Sequence, residues 1–269
     1  MCRLLGYAAP VTTTTQEVIG EANCSEWQRM GRLHADGWGT AFLGEHGIER
    51  VRSAHSGLRD PELDAALTNV PSTARLTHLR LATEGIARTL ENAHPFVTDR
   101  FALAHNGSIK PVAEFKKLVN TDELEPHGGD SDTSVLVALI TRALNAGLTL
   151  SDAVITTVES VSERFPGASI NLLVLSESEL IAVHANDGAS LPTDEFDEAN
   201  LGDDLPLDHI DHYYQLSYRR AVDGTVAFTS SGLAHEGWTP MRQNSVATVD
   251  LETLRLEFHD LRVGETVAA

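Results

Sequence analysis

The chain has 269 residues, of which 42% are hydrophobic, so it is long and apolar enough for one domain with a buried core. Its formal net charge of -19 argues against nucleic acid or an anionic membrane surface as the main partner, because both bind basic surfaces. Two cysteines, no basic leader with a long apolar segment, and no apolar run of about 18 residues predict a cytoplasmic protein without a disulfide framework or a membrane span.

Three helices are predicted in the first and middle parts of the chain. A weakly periodic stretch over 16–30 predicts the earliest of them. The second begins after Ser131, has apolar residues at helical spacing as far as Leu144, and is followed by a glycine that ends it. Ser151 is placed to cap the third, whose apolar face carries three valines, Val154, Val158 and Val161.

Predicted strands dominate the second half. Two apolar runs, 171–176 and 180–185, are joined by a short polar segment and predict a hairpin. Further strands are expected over three short runs, 225–229, 245–250 and 254–258. The stretch 186–212 is acidic with Gly and Pro, which favours a surface excursion over a domain linker. Strands before, between and after paired helices indicate a layered α+β fold with mostly antiparallel sheets.

Cys2 stands directly after Met1, and methionine aminopeptidases remove Met before a small side chain. The mature chain is therefore expected to begin with a residue that carries both a nucleophilic thiol and a free α-amine. A thiol attacks as its thiolate, and an α-amine with an ordinary pKa of about 8 is a base suited to take its proton. From the position alone, a cysteine without function is the favoured interpretation. Cys24 is most simply a core or surface thiol.

Five short segments carry the chemical signal. Each segment is a weak signal alone. In the second segment, His34–Gly39, the glycines indicate a tight turn or a close backbone approach. The order and spacing of the five segments together are informative. In chain order they are Met1–Tyr7, His34–Gly39, Thr77–Gly85, Glu91–Ser108 and Gly129–Thr133.

Together these segments resemble a class II glutamine amidotransferase domain of the N-terminal-nucleophile hydrolase superfamily. That family begins its mature chain with the nucleophilic cysteine, as at Cys2. Its further motifs, His-x-Arg-x-Ala-Thr, Asn-Ala-His-Pro, His-Asn-Gly and Ser-Asp-Thr, are matched by His78–Thr83, Asn92–Pro95, His105–Gly107 and Ser131–Thr133. Phe228–Leu233 and Trp238–Pro240 resemble the tail of its stand-alone members. The resemblance implies a single domain over 1–269, folded as a four-layer αββα sandwich of two antiparallel sheets flanked by helices.

The resemblance also implies a reaction, the hydrolysis of a γ-glutamyl amide. Cys2 would attack the amide carbonyl, while the side chain of Asn106 and the backbone N–H of Gly107 would stabilise the oxyanion. The α-amine would act as base and then as acid toward the leaving ammonia or amine, and water would hydrolyse the thioester. Asn-Gly is also frequent in type I′ hairpin turns, and a turn of that kind could itself point the donors outward.

Three residues would hold the free amino-acid end of the substrate. Arg80 resembles the family arginine that forks onto the α-carboxylate. Thr83 would add a hydroxyl or backbone donor, and Asp132 would accept the α-ammonium. The alternatives are a solvated strand charge for Arg80 and a helix N-cap for Asp132, although Ser131 could cap instead.

Four histidines lie in the motifs, at His34, His78, His94 and His105. None shows metal-ligand spacing, so no metal and no cofactor is expected, and structural hydrogen bonding is favoured for all four. His34 replaces the Gly of an Arg-Gly pair in synthase-linked relatives, and Glu84 stands where those relatives have histidine. Both departures resemble the stand-alone branch and leave the substrate fit open.

No synthase domain fits the remaining chain. The protein is therefore expected either to hydrolyse a γ-glutamyl amide outright or to deliver ammonia to a separate subunit, and a homo-oligomer stays open. One stand-alone relative hydrolyses a γ-glutamyl sulfoxide conjugate in the ergothioneine pathway, and its opening is similar to Met1–Tyr7. A non-catalytic binding or scaffold subunit would have lost the cysteine, the oxyanion pair or the arginine. Other N-terminal-cysteine amidases lack this order of motifs.

Overall fold

The computed structural model of the chain describes residues 2–82, 87–191 and 211–263. Over these ranges two β-sheets stack face to face. The first, sheet A, contains β1 (Arg3–Thr13), β2 (Trp38–Gly44), β3 (Gly47–Ser53), β4 (Ser72–Leu79), β9 (Leu216–Arg220), β10 (Val226–Ser230) and β11 (Thr239–Pro240). The second, sheet B, contains β5 (Phe96–Val97), β6 (Ala102–Ser108), β7 (Ser169–Leu175), β8 (Glu179–Ala185), β12 (Ser245–Asp250) and β13 (Leu256–Asp260).

Neighbouring strands in both sheets run antiparallel. The order is β11-β9-β10-β1-β4-β2-β3 in sheet A and β13-β12-β8-β7-β6-β5 in sheet B. The predicted hairpin is confirmed as β7 and β8, with Leu173 opposite Ala182. The three predicted C-terminal strands are confirmed as β10, β12 and β13, with β13 beginning at Leu256 instead of 254.

The helices are α1 (Thr15–Ile19), α2 (Glu21–Arg29), α3 (Pro61–Thr68), α4 (Val112–Lys116), α5 (Thr121–Leu124), α6 (Asp132–Asn145) and α7 (Leu150–Arg164). The predicted helix over 16–30 is two helices, because Gly20 has a φ of 87° that an α-helix cannot continue. Helix α6 is confirmed. The cap of α7 was predicted wrongly, since Thr149 and not Ser151 accepts the hydrogen bond, from the N–H of Asp152.

Three apolar clusters define the layers. Leu4 and Leu173 belong to the cluster between the two sheets. Their chain neighbours face outward: Leu5 packs with residues of α1, α2 and α3, and Leu172 packs with residues of α6 and α7. The expected four-layer αββα sandwich is therefore confirmed, with alternate residues of each central strand facing different clusters.

Two sequence predictions concern features at the surface. The predicted acidic excursion over 186–212 falls mostly outside the described residues, which stop at Leu191 and resume at Asp211. Within the described part of the chain, no helix combines the length and the apolar character needed to cross a membrane.

Truncation of Leu173 tests the core between the sheets, where this side chain is fully buried. Leu173→Ala removes buried methyl groups and leaves a cavity, so we expect the free energy of unfolding to fall by about 2–5 kcal/mol. The control is Val11→Ala, because Val11 is 65% exposed, and its cost should stay below about 0.5 kcal/mol. Urea unfolding measures both, and equal losses would contradict a core between the sheets.

Candidate active site

Cys2 lies at the end of β1 where the two sheets meet. Arg3 is opposite Leu79 of β4, so Cys2 comes close to Arg80, the residue that follows β4. The backbone N–H of Cys2 donates to Oδ1 of Asn106 in β6 over 3.0 Å. This hydrogen bond connects a central strand of sheet A to sheet B.

A pocket opens at this junction. Its walls include Cys2, Arg80, His94, Gly107 and Asp132, which come from four of the five sequence motifs. The structure thus brings together the predicted nucleophile, the glycine of the oxyanion pair and two of the predicted substrate-binding residues. The third, Thr83, lies outside the described residues.

The amide of Asn106 is oriented by Cys2. Its Oδ1 accepts the Cys2 N–H, so its Nδ2 amino group faces away from that bond. Nδ2 is buried and has no hydrogen-bond partner among the described residues, and the same holds for Oγ of Ser131 in the pocket wall. A buried polar group left unpaired costs about 1–3 kcal/mol. Ser131 lines the pocket and Asn106 is bonded to the pocket residue Cys2, so both unpaired groups belong to this site and indicate that it takes a polar ligand.

Gly107 is needed for a close approach of two strands. A Cβ at this position would lie 1.8 Å from the backbone oxygen of Ser169 and 2.6 Å from Nε2 of His105. The type I′ turn considered for Asn-Gly is wrong, because Asn106 and Gly107 lie within β6, opposite Asn171 and Ile170 of β7. The glycine therefore lets β6 pack against β7 while both residues remain at the site.

Asp132 is the first residue of α6 and not its N-cap. Its Oδ1 accepts from the N–H of Thr133, and its Oδ2 from the N–H of Ile109, each over 2.9 Å. Ser131 stands at the N-cap position but makes no side-chain capping bond. The carboxylate is thus held in the pocket wall with lone pairs left for a further donor.

Arg80 is 3% exposed, so it is not a solvated strand charge. Its Nη1 donates to the backbone oxygen of Asp36 over 3.3 Å, and its Nη2 to that of Ala87 over 3.0 Å. Two of the five guanidinium N–H groups are therefore used within the protein. The other three have no hydrogen-bond acceptor among the described residues.

Asp36 is a positioning residue that the sequence predictions missed. Its Oδ2 accepts from the N–H of Ala82 over 2.8 Å, and its Oδ1 pairs with Nε of Arg88 at 3.0 Å. Its own N–H donates to the backbone oxygen of Arg80 over 3.0 Å. Asp36 thus holds Arg80 and residues that follow it in the chain. The available signal was its place in the motif His34–Gly39, to which no role had been given.

The two cysteines differ in surroundings. Burial raises the pKa of the Cys2 thiol, while a backbone hydrogen bond with Leu81 and the Arg80 charge act in the opposite direction. A base is therefore required to make the thiolate near neutral pH. Cys24 lies in the cluster outside sheet A, where burial, aided by the Asp64 charge, raises the pKa of its thiol to about 11. Cys24 is a core thiol.

The motif histidines are buried. His34 lies with its Nδ1 2.9 Å from the backbone oxygen of Met30, away from the residues that line the pocket. Burial lowers the pKa of His78 to about 3 and that of His94 well below its ordinary value. Across 2–82, 87–191 and 211–263, no three His, Cys, Asp or Glu side chains form a group that could hold a metal ion.

Comparison with known proteins agrees with this geometry. The sequence model of the class II glutamine amidotransferases matches residues 1–250. The chain belongs to this family. The match includes every residue that the site geometry brings together, from Cys2 to Asp132.

Similar proteins of the family differ in length. Glutamine–fructose-6-phosphate aminotransferase (isomerizing) of Bartonella quintana is 29% identical over 191 residues, which cover 71% of this chain and 29% of the aminotransferase. The chain thus matches less than a third of that protein. The γ-glutamyl-hercynylcysteine sulfoxide hydrolase of Mycolicibacterium smegmatis is 27% identical over 228 residues, which cover 78% of this chain and 94% of the hydrolase.

Solved structures share the fold. A glutamine aminotransferase class-II domain protein from Silicibacter pomeroyi superimposes with a TM-score of 0.65 at 20% identity, covering 97% of this chain and 99% of that chain. Glutamine phosphoribosylpyrophosphate amidotransferase from B. subtilis superimposes with a TM-score of 0.64 at 18% identity, covering 96% of this chain and 49% of that chain. At these identities the likeness shows the fold alone.

Substitution of Gly107 tests the close packing of β6 on β7. Gly107→Ala would place Cβ against the backbone oxygen of Ser169, which cannot turn away as a side chain could. We expect a loss of about 3 kcal/mol or more in the free energy of unfolding. The control is Ser108→Ala in the same strand, with an expected loss of about 1 kcal/mol. Thermal and urea unfolding measure both, and a Gly107→Ala protein as stable as the control would contradict this packing.

Proposed function

We propose that the protein hydrolyses a γ-glutamyl amide through a thioester on Cys2. The observation that carries the proposal is the bond from the Cys2 N–H to Asn106 Oδ1, which orients an amide whose amino group has no partner among the described residues and joins it to the residue that carries the thiol. Attack of a thiolate on an amide carbonyl puts negative charge on oxygen, and a preorganised buried donor stabilises that charge. Membership of the class II glutamine amidotransferases supports the same chemistry.

Removal of Met1 supplies the base in this proposal. The nitrogen of Cys2 would then change from a peptide amide, which does not take a proton, into an α-amine with an ordinary pKa of about 8. The amine takes the thiol proton and passes it to the leaving nitrogen as the C–N bond breaks. Water then adds to the thioester, and glutamate leaves as the thiol forms again. Because burial raises the pKa of the thiol, the base is essential at neutral pH.

The remaining site residues take complementary roles in the proposal. Gly107 gives its backbone N–H as the second oxyanion donor. Arg80 binds the α-carboxylate with its free N–H groups, and Asp132 accepts the α-ammonium. Thr83 is assigned to the same end of the substrate from the family motif. The burial of Arg80 and the two backbone bonds to Asp132 support these roles, because both charges are held in place before substrate arrives.

A γ-glutamyl conjugate of an amine is the substrate class that we favour. The match to 94% of a protein named as a γ-glutamyl-hercynylcysteine sulfoxide hydrolase supports hydrolysis without transfer. The second candidate is glutamine, with ammonia passed to a separate subunit, which the similarity to the aminotransferases supports. We further propose that 1–269 form one domain that acts in the cytoplasm on a small molecule, alone or as a homo-oligomer. Two free cysteines are compatible with that compartment.

Glutamate release tests the proposal. The protein is incubated with glutamine and with a panel of γ-glutamyl conjugates, and glutamate is measured over time. We expect Cys2→Ala to lower the rate by roughly 10⁴-fold or more, because the nucleophile is lost. Asn106→Ala should lower kcat by about 10²–10³-fold through loss of one oxyanion donor. Cys24→Ala is the control and should keep the rate, since Cys24 lies outside the pocket.

Two outcomes would contradict the proposal. Activity that survives Cys2→Ala would remove the proposed nucleophile. The absence of glutamate release from every γ-glutamyl compound, in a folded protein without Met1, would contradict hydrolysis and favour a role that needs a partner subunit.

A further inference from the structure

Two buried imidazoles, those of His78 and His94, lie in contact at the junction of the sheets, and His105 meets them through its backbone oxygen. Nδ1 of His94 is 2.9 Å from Nε2 of His78 in β4. The same Nε2 is 3.2 Å from the backbone oxygen of His105 in β6. His94 and His105 also line the pocket. Because a neutral imidazole has one donor and one acceptor nitrogen, these contacts determine where each proton lies.

His78 must carry its proton on Nε2. The His105 carbonyl oxygen can only accept, so the nitrogen that faces it has to donate. The other tautomer would bring two lone pairs together and would bury an N–H at Nδ1, for which the described residues offer no partner. Buried N–H groups without a partner are rare, whereas a bare acceptor nitrogen is less costly.

The proton on His94 follows from that on His78. Its Nδ1 faces the His78 N–H and therefore accepts, which leaves its own proton on Nε2. Burial, with the nearby charges, lowers the pKa of both rings, so neither becomes imidazolium near neutral pH. Since Nδ1 is bonded to His78, Nε2–H is the ring donor that His94 has left for the pocket it lines.

His105 differs from His94 in this respect. Its Nε2 lies 3.0 Å from the backbone oxygen of Ser169 and must donate to it, while its Nδ1 lies 3.1 Å from Oγ1 of Thr133. Both ring nitrogens are therefore engaged within the protein. Of the two histidines that line the pocket, only His94 has a ring nitrogen, Nε2, for which the described residues provide no hydrogen-bond partner.

We propose that His94 is a substrate-binding residue whose Nε2–H donates to the α-carboxylate of the γ-glutamyl substrate. A carboxylate accepts about four hydrogen bonds, and Arg80 uses two of its N–H groups on Asp36 and Ala87. A further neutral donor at this end completes the group of N–H donors that a carboxylate can accept from. Nη2 of Arg80 and Nδ2 of Asn92 donate to the same backbone oxygen, that of Ala87, so the guanidinium lies beside the segment that carries His94, and all three residues line the pocket. The inference rests on the proposed function for the identity of the ligand.

The tautomer is tested without any substitution. In protein with ¹⁵N-labelled histidine at neutral pH, the ring nitrogen shifts should show His78, His94 and His105 as neutral Nε2–H forms, with His105 as the internal reference. Addition of L-glutamate should shift the Nε2–H resonance of His94 and leave that of His105 in place. A proton on Nδ1 of His94, an imidazolium, or L-glutamate binding that leaves His94 unmoved would overturn the inference. If L-glutamate does not bind at all, the proposed function fails together with it.

Two substitutions give a kinetic test on the γ-glutamyl substrate that the wild-type protein hydrolyses. His94→Leu fills the space without a donor and should raise KM about tenfold or more, with a smaller change in kcat. His94→Gln can place an amide N–H near the Nε2 position and should raise KM by no more than about threefold. A Gln variant as impaired as the Leu variant, or a loss confined to kcat, would overturn the assignment. Thermal unfolding shows whether both variants fold. If His94→Leu does not fold, the tautomer measurement on the unsubstituted protein tests the inference instead.

Discussion

One hydrogen bond, 3.0 Å long, runs from the backbone N–H of Cys2 to Oδ1 of Asn106 and connects the two sheets at the site. It places the thiol at the junction and turns the amino group of Asn106 away from the bond, where that group has no partner among the described residues. A buried main-chain donor must be paired, so the orientation of the amide follows from the position of the nucleophile. The proposed nucleophile and the proposed oxyanion donor are thereby positioned by a single contact.

The surrounding structure keeps that contact in place. Gly107 lets β6 approach β7 more closely than any side chain would permit, and the carboxylate of Asp132 ties the start of α6 to the end of β6 through the N–H of Ile109. On the other side, Asp36 holds the segment that carries Arg80. The carboxylates of Asp36 and Asp132 are both buried, and both accept hydrogen bonds from backbone N–H groups. The site is therefore as rigid as the strands that carry it.

Much of the fold follows from local patterns in the sequence. The apolar spacing after Ser131 predicts α6, and the paired apolar runs predict the hairpin of β7 and β8, because helical and strand periodicities differ. The family motifs also identified the residues that the pocket brings together. The predicted cap of α7 is wrong because Thr149 and Ser151 offer the same side-chain acceptor. Only the backbone conformation determines which of the two caps the helix.

What the sequence could not provide depends on contacts between distant residues. Asn106-Gly107 has the same local signal in a hairpin turn and inside a strand, and the difference is made by Ser169, which follows in β7 after the four intervening helices α4 to α7. Asp36 acquires its role only where Ala82 and Arg88 meet it. Likewise, the protons of the histidines follow from carbonyl groups on other strands.

The covalent intermediate is the most direct test of the account. The protein is mixed with a γ-glutamyl amide, quenched in acid within the first turnover, digested, and examined by mass spectrometry for a γ-glutamyl group on cysteine. The account predicts the adduct on the peptide that begins with Cys2, with a free α-amine and without Met1. Product formation with no adduct at Cys2, or with the adduct at Cys24, would contradict it.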